Sequence, residues 1–219
     1  DFFQVNLTAA MTITLTAPET IGRLILNDNN HRFPFTSPVG NFAYTIASST
    51  LTLDNSGSAA LISVLGGGQH IISSALVMTA GLNAQVDASS LVLSGVISGT
   101  GPLSMNGGGT LFLQNNANTY TGGTNVNSGV FEAQTGGGTL PLTSGIFGAG
   151  DVTLTGGQLN LRYGGGTSNN TVTFNNNLVI GGASTISVDR NTGSATGNNY
   201  RFNSLSIGNS ILTVNSGNS

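Results

Sequence analysis

No window of twelve residues in this chain carries the i, i+3, i+4 apolar stripe of an amphipathic helix, while short runs of apolar–polar alternation recur throughout. Such runs are MTITLT at 11–16, IGRLIL at 21–26, TLTL at 50–53, SLVLSGVI at 90–97, TLFLQ at 110–114, QLNLRY at 158–163 and ILTV at 211–214. Each places Leu, Ile, Val or Phe on one side and Thr, Ser, Asn or Gln on the other, which is the period of a half-buried strand. Gly, Asn, Ser and Thr separate the runs. Only a fold built from many short strands with one apolar side accommodates this pattern.

Strands at 8–12-residue spacing fit a sandwich or a barrel as well as a solenoid. The regularity persists without a long connection, which favours the solenoid. Glycine clusters recur at 66–68, 107–109, 136–138 and 164–166, where the chain must bend tightly. Asn-Gly pairs that would close a two-residue hairpin are few, and Asn106-Gly107 is the best candidate. The expected fold is therefore all-β: a parallel β-helix over 1–219, in one continuous domain with essentially no helix. Three strands and 20–25 residues per coil predict about nine or ten coils. Asn115-Asn116 and Asn175-Asn176-Asn177 are expected to form amide ladders along the stack. Residues 30–40 interrupt the pattern with Pro34, Pro38 and His31, so a loop extruded from the coil is expected there.

Composition narrows the function. Gly, Thr, Asn and Ser account for 110 of 219 residues, Lys and Cys are absent, and charged residues are 6%. With a net charge of −3 the chain lacks the electrostatic footprint of a nucleic-acid binder. No apolar run is long enough for a transmembrane helix, so membrane insertion is not expected. The chain begins at Asp1 with no signal-peptide pattern, which reads as a mature or excised piece.

A polysaccharide lyase of β-helical type needs clustered acids for a cation and a Lys or Arg base. Asp1, Glu19, Asp28, Asp54, Asp87, Glu132, Asp151 and Asp189 are spread almost evenly, with no pairing at one- or two-coil spacing. Asp189-Arg190 reads as a local surface ion pair, because successive strand residues face opposite sides. Asp87 reads as a corner cap. His31 and His70 read as two exposed histidines without a third ligand. The G-G-x-G-x-D calcium repeat is absent. Asn6-Leu7-Thr8 and Asn169-Asn170-Thr171 match a glycosylation sequon that such a composition produces by chance. Tyr120 reads as a corner-packing residue rather than a sugar platform. No catalytic, cofactor-binding or metal residue is assigned, and no enzyme activity or cofactor is expected.

The stretch from 96 to 133 is more specific. Val96-Ile97-Ser98-Gly99-Thr100-Gly101-Pro102-Leu103, then Gly108-Gly109-Thr110-Leu111-Phe112-Leu113, Asn118-Thr119-Tyr120-Thr121-Gly122-Gly123-Thr124 and Gly129-Val130-Phe131, resembles the autotransporter-associated β-strand repeat. Met105 stands where that pattern has Lys, and Phe131 where it has Leu. The resemblance implies a right-handed β-helical passenger, extracellular or on the bacterial cell surface, acting as a stalk, adhesin or surface fibre. Two readings follow. In the first, the chain is a structural stalk or filament subunit whose partner is itself, stacked head to tail or continued in a longer solenoid. Both Phe2-Phe3-Gln4-Val5 and Ile211-Leu212-Thr213-Val214 look uncapped, and low charge leaves stacking unopposed. In the second, it is an adhesin that contacts surface glycans through the aromatics of 30–44.

Overall fold

The computed structural model describes residues 10–27, 43–66, 68–136, 142–164, 169–191 and 197–216. All secondary structure among them is strand, from Met11–Thr14 to Leu212–Ser216, and every strand pairing is parallel. Parallel strands cannot be joined by tight hairpins. Here the chain returns to each strand's neighbour only after crossing the other faces of the coil. Four sheets result, of nine, eight, four and three strands. The nine-stranded sheet takes the first strand of each coil, and the eight-stranded sheet takes the last. The two smaller sheets divide the face between them.

Alternation decides what fills the bore. On the eight-stranded sheet, Leu24, Ile62, Ala84, Met105, Val126, Leu154 and Ile180 stand in register on successive coils. All seven are buried. On the nine-stranded sheet, Leu91, Leu111, Phe131, Leu159 and Ile186 form a second such row. Each buried side chain of this size contributes about 1.5–3 kcal/mol. A break in alternation therefore costs as much as a core substitution in a globular domain.

Coil length changes along the stack. Ser90 pairs with Thr110 and Thr110 with Val130, steps of 20 residues. Val130 then pairs with Gln158, a step of 28, and Gln158 with Thr185, a step of 27. The longer coils bring in aromatic side chains. Phe147 meets Phe174 edge to face with centroids 5.0 Å apart, and Phe174 meets Phe202 at 4.9 Å with the rings tilted.

Several details differ from the sequence reading. The run 90–97 is two strands on two faces, Ser90–Leu93 and Ile97–Gly99, broken at Gly95. Likewise 21–26 is divided at Gly22 between Glu19–Ile21 and Arg23–Leu26. Both halves of each run alternate, so composition hides the corner. Asn106-Gly107 is not a hairpin. It is the corner from the eight-stranded to the nine-stranded sheet, with Gly107 at φ +90°. Amide pairing follows the expectation at Asn177 and is placed differently elsewhere. The amide-to-amide steps are Asn127 to Asn106 at 3.1 Å, Asn203 to Asn177 at 2.8 Å and Gln114 to Gln134 at 2.7 Å. Asn115 instead donates to the Ser94 carbonyl, Asn116 accepts from Ser144, and Asn176 donates to the carbonyls of Gly148 and Gly150. The loop expected at 30–40 lies outside the described residues.

Candidate functional site

The motif N-T-Y-T-G-G-T spans the coil that has no strand on its middle face. Its backbone nevertheless continues the ladder. Thr119 and Thr121 donate to the carbonyls of Ile97 and Gly99 at 2.9 and 3.0 Å, and Ala149 donates to that of Tyr120 at 2.8 Å. Asn118 takes the place of an inward residue. Its Oδ1 accepts the Ile97 N–H and its Nδ2 donates to the Ile146 carbonyl, both at 2.9 Å, so one amide links three coils. Tyr120 is fully buried, with its hydroxyl 2.6 Å from Thr124 Oγ1. Thr124 occupies the apolar row between Leu103 and Val152, and the phenol satisfies its hydroxyl there. Burial pushes the Tyr120 phenol well above its ordinary value, against the lesser pull of the Thr124 hydrogen bond. Tyr120 thus packs the corner, as its sequence context suggests, and offers no ring to a sugar.

The richest side-chain chemistry lies on the outer face of the nine-stranded sheet. Three outward rows run along it. The central row is Ile71, Val92, Phe112, Glu132, Asn160 and Ser187. Gln134, Arg162 and Asp189 share the row on one side; Thr110, Val130, Gln158 and Thr185 share the row on the other. Hydrogen bonds tie the rows together. Gln114 donates to Gln134 at 2.7 Å, and Gln134 donates to Glu132 Oε1 at 2.6 Å. Asn160 donates to Glu132 Oε2 at 3.3 Å and accepts from Gln158 at 2.6 Å. Arg162 Nε lies 2.8 Å from Glu132 Oε2, too poorly aligned for a hydrogen bond, and its Nη1 donates to Asp189 Oδ2 at 3.1 Å. Glu132 is only 7% exposed. A carboxylate that shielded needs a cation and hydrogen-bond donors. Arg162 supplies the charge, and Gln134 and Asn160 supply the donors.

This cluster corrects the sequence reading of the acids and of Asp189-Arg190. Glu132 and Asp189 are brought together two coils apart, across Arg162. The Asp189 carboxylate pairs with Arg162, and with Arg190 it only accepts the backbone N–H at 2.7 Å. His70 is a second correction. It is fully buried in the bore rather than exposed, with Nδ1 accepting the Tyr44 N–H at 3.0 Å and Nε2 2.8 Å from the Gly66 carbonyl. Its inward position follows from register, since it pairs with Leu91.

The remaining acids stay apart. Asp87 is exposed at a corner and accepts from Gln85. Asp151 accepts from Asn177 at 2.9 Å. Glu19 is exposed and Asp54 partly so. No three His, Cys, Asp or Glu side chains converge on a metal-sized site among the described residues. No helix of the described residues is long and apolar enough to cross a membrane. Asn169 is exposed ahead of the strand Thr171–Phe174. Asp1, Asn6, Asp28, His31 and the aromatics Phe33, Phe35 and Phe42 lie outside the described residues.

No curated protein and no solved structure matches the chain. Residues 103–133, from the first strand after Pro102 through the buried Tyr120 corner to Ala133, match the family model of the passenger-associated-transport-repeat, so the repeat that the N-T-Y-T-G-G-T motif pointed to is present in this chain.

Proposed function

We propose that the chain is a load-bearing stalk or fibre segment of a secreted surface passenger, in which length and stiffness are the function. The observation that carries this reading is the unbroken inner row Leu24–Ile62–Ala84–Met105–Val126–Leu154–Ile180, one apolar side chain per coil through the described stack. Stacked repeats that contact only their neighbours make a rod whose length carries no penalty in core size.

The last described coil supports axial stacking. Leu205, Ile207 and Val214 continue the rows of Leu178, Ile180 and Ile186, yet they are 55%, 44% and 63% exposed. A further coil, from the same polypeptide or another copy, would bury them in parallel register. A contact of this kind does not close on itself and produces a fibre.

Negative-stain electron microscopy, with mass in solution measured by light scattering, tests the reading. Rods or fibres of constant width, lengthening with concentration, are expected. Compact particles of fixed mass at every concentration would sink it. Leu205→Asp with Val214→Asp should hold the material at the shortest rod length.

A further inference from the structure

We propose that the outer face of the nine-stranded sheet, from Val92 to Arg162, binds an uncharged polysaccharide chain lying along the coil axis. The inference goes beyond the stalk reading and stands on different residues.

The central row changes character at its midpoint. Ile71, Val92 and Phe112 turn apolar side chains outward, and Glu132, Asn160 and Ser187 follow them with polar groups in the same register. Val92 is buried, while Ile71 and Phe112 remain partly open. Pyranose rings present this same duality, with apolar C–H faces and hydroxyl edges. The C–H face suits Phe112 and its aliphatic neighbours. The hydroxyls suit planar groups that donate and accept together, and Gln114, Gln134 and Gln158 supply three such amides beside the row.

Three features select an uncharged polymer. First, no charge along the strip is free. Arg162 lies between the carboxylates of Glu132 and Asp189 and engages both, which leaves no cation open to an anionic ligand and no unengaged carboxylate for a cationic one. Second, the amides and carboxylate are already held in place by one another, through contacts of 2.6–2.7 Å at Gln114–Gln134, Gln134–Glu132 and Gln158–Asn160. A ligand therefore meets groups whose rotamers are fixed, and the entropy cost of ordering them is small. Third, the rows repeat at each coil, about 4.8 Å along the axis. That rise is close to the length of one sugar unit, so an extended glycan can set successive units against successive coils and gain avidity from weak individual contacts.

Affinity electrophoresis of the whole chain through gels containing a neutral β-glucan, xylan or mannan tests this, with polygalacturonate as the anionic control. Retardation by at least one neutral polymer is expected, with none by polygalacturonate. Phe112→Ala should weaken it about tenfold, the loss of one central aromatic anchor. Gln114→Ala, on an exposed side chain that the core does not need, should weaken it several-fold. Asn83→Ala, on the outer face of the eight-stranded sheet, should leave it unchanged. Retardation by none of the neutral polymers overturns the proposal. So does retardation that Phe112→Ala and Gln114→Ala both leave intact, or a Phe112→Ala effect confined to self-association, which would make the strip a contact between copies. None of these outcomes bears on whether the chain forms rods.

Discussion

The His70 imidazole stacks on the Tyr44 ring, centroids 5.4 Å apart and planes 25° from parallel, while its Nδ1 accepts the backbone N–H of that same tyrosine at 3.0 Å. With Nδ1 accepting, the proton sits on Nε2 and is donated to the Gly66 carbonyl 2.8 Å away. A neutral histidine thereby fills a position that Leu91 fills on the next coil, and it joins two coils by main-chain contacts that a leucine could not make.

Replacing His70 separates packing from hydrogen bonding. His70→Ala leaves a cavity and two unpaired backbone groups, and a loss of about 3 kcal/mol is expected. His70→Phe restores the volume but not the bonds, and about 1–2 kcal/mol should be lost. Urea-unfolding midpoints followed by far-ultraviolet circular dichroism measure both. A His70→Phe protein as stable as the parent would show that only the volume matters.

Two phenols make the fold sensitive to alkali. Burial raises both Tyr120 and Tyr200 far above the ordinary value of 10.0, and the Asp189 charge adds to burial at Tyr200. Each phenol stays protonated in the fold but ionises near 10 in the unfolded chain. Their contribution is complete below that pH and declines as pH rises above it. Unfolding midpoints should hold steady from neutrality to about pH 9 and then drop. Tyr120→Phe should cost about 1 kcal/mol at neutral pH and make the alkaline decline shallower. An unchanged slope would remove Tyr120 from the explanation.

Arg162 is the cation of the outer-face network, and its loss strands Glu132. Arg162→Met should destabilise by about 1–2 kcal/mol, less than a fully enclosed pair because the Arg162 side chain is 28% exposed. Glu132→Gln in the same background should recover part of that loss, since an amide tolerates the site without a cation. A double-mutant cycle gives the coupling directly. Strictly additive effects would mean the pair is incidental.

Gly99 is, with Gly95 and Gly101, among the glycines where an added Cβ would run into the backbone of the preceding coil. Its φ is +116°, and a Cβ there would lie 2.0 Å from the Met78 carbonyl oxygen on the preceding coil. Gly57, at φ +83°, has open space around its missing Cβ. Gly57→Ala should cost about 1 kcal/mol, from backbone conformation alone. Gly99→Ala adds a steric overlap that only backbone movement relieves, for a total above about 3 kcal/mol. Similar costs at the two sites would mean the coils separate more easily than the ladder implies.

Alternation was enough to locate most strands, because the bore tolerates only one phase. It failed where both phases are apolar. In Gln69–Ile72, outward Ile71 is as apolar as inward Ile72, so nothing local marks His70 as inward. Corners were hidden for a related reason, since Leu93 and Ile97 belong to one alternating run although they lie on different faces. Glu132 could be read as outward from its neighbours Phe131 and Ala133. Its union with Arg162 and Asp189 could not, because the register linking them depends on coil lengths of 28 and 27 residues that no local pattern records.

The change of coil length also sets how the molecule yields to tension. Each coil advances the axis by the same ladder spacing, yet the coils hold different lengths of chain. A 20-residue coil such as Ser90 to Thr110 stores about 70 Å of extensible polypeptide, and a 28-residue coil such as Val130 to Gln158 about 95 Å. Peeled from the stack one turn at a time, the narrow turns between Ser90 and Val130 and the wider turns that follow them would lengthen in unequal steps, the wider turns giving more slack per ladder row released.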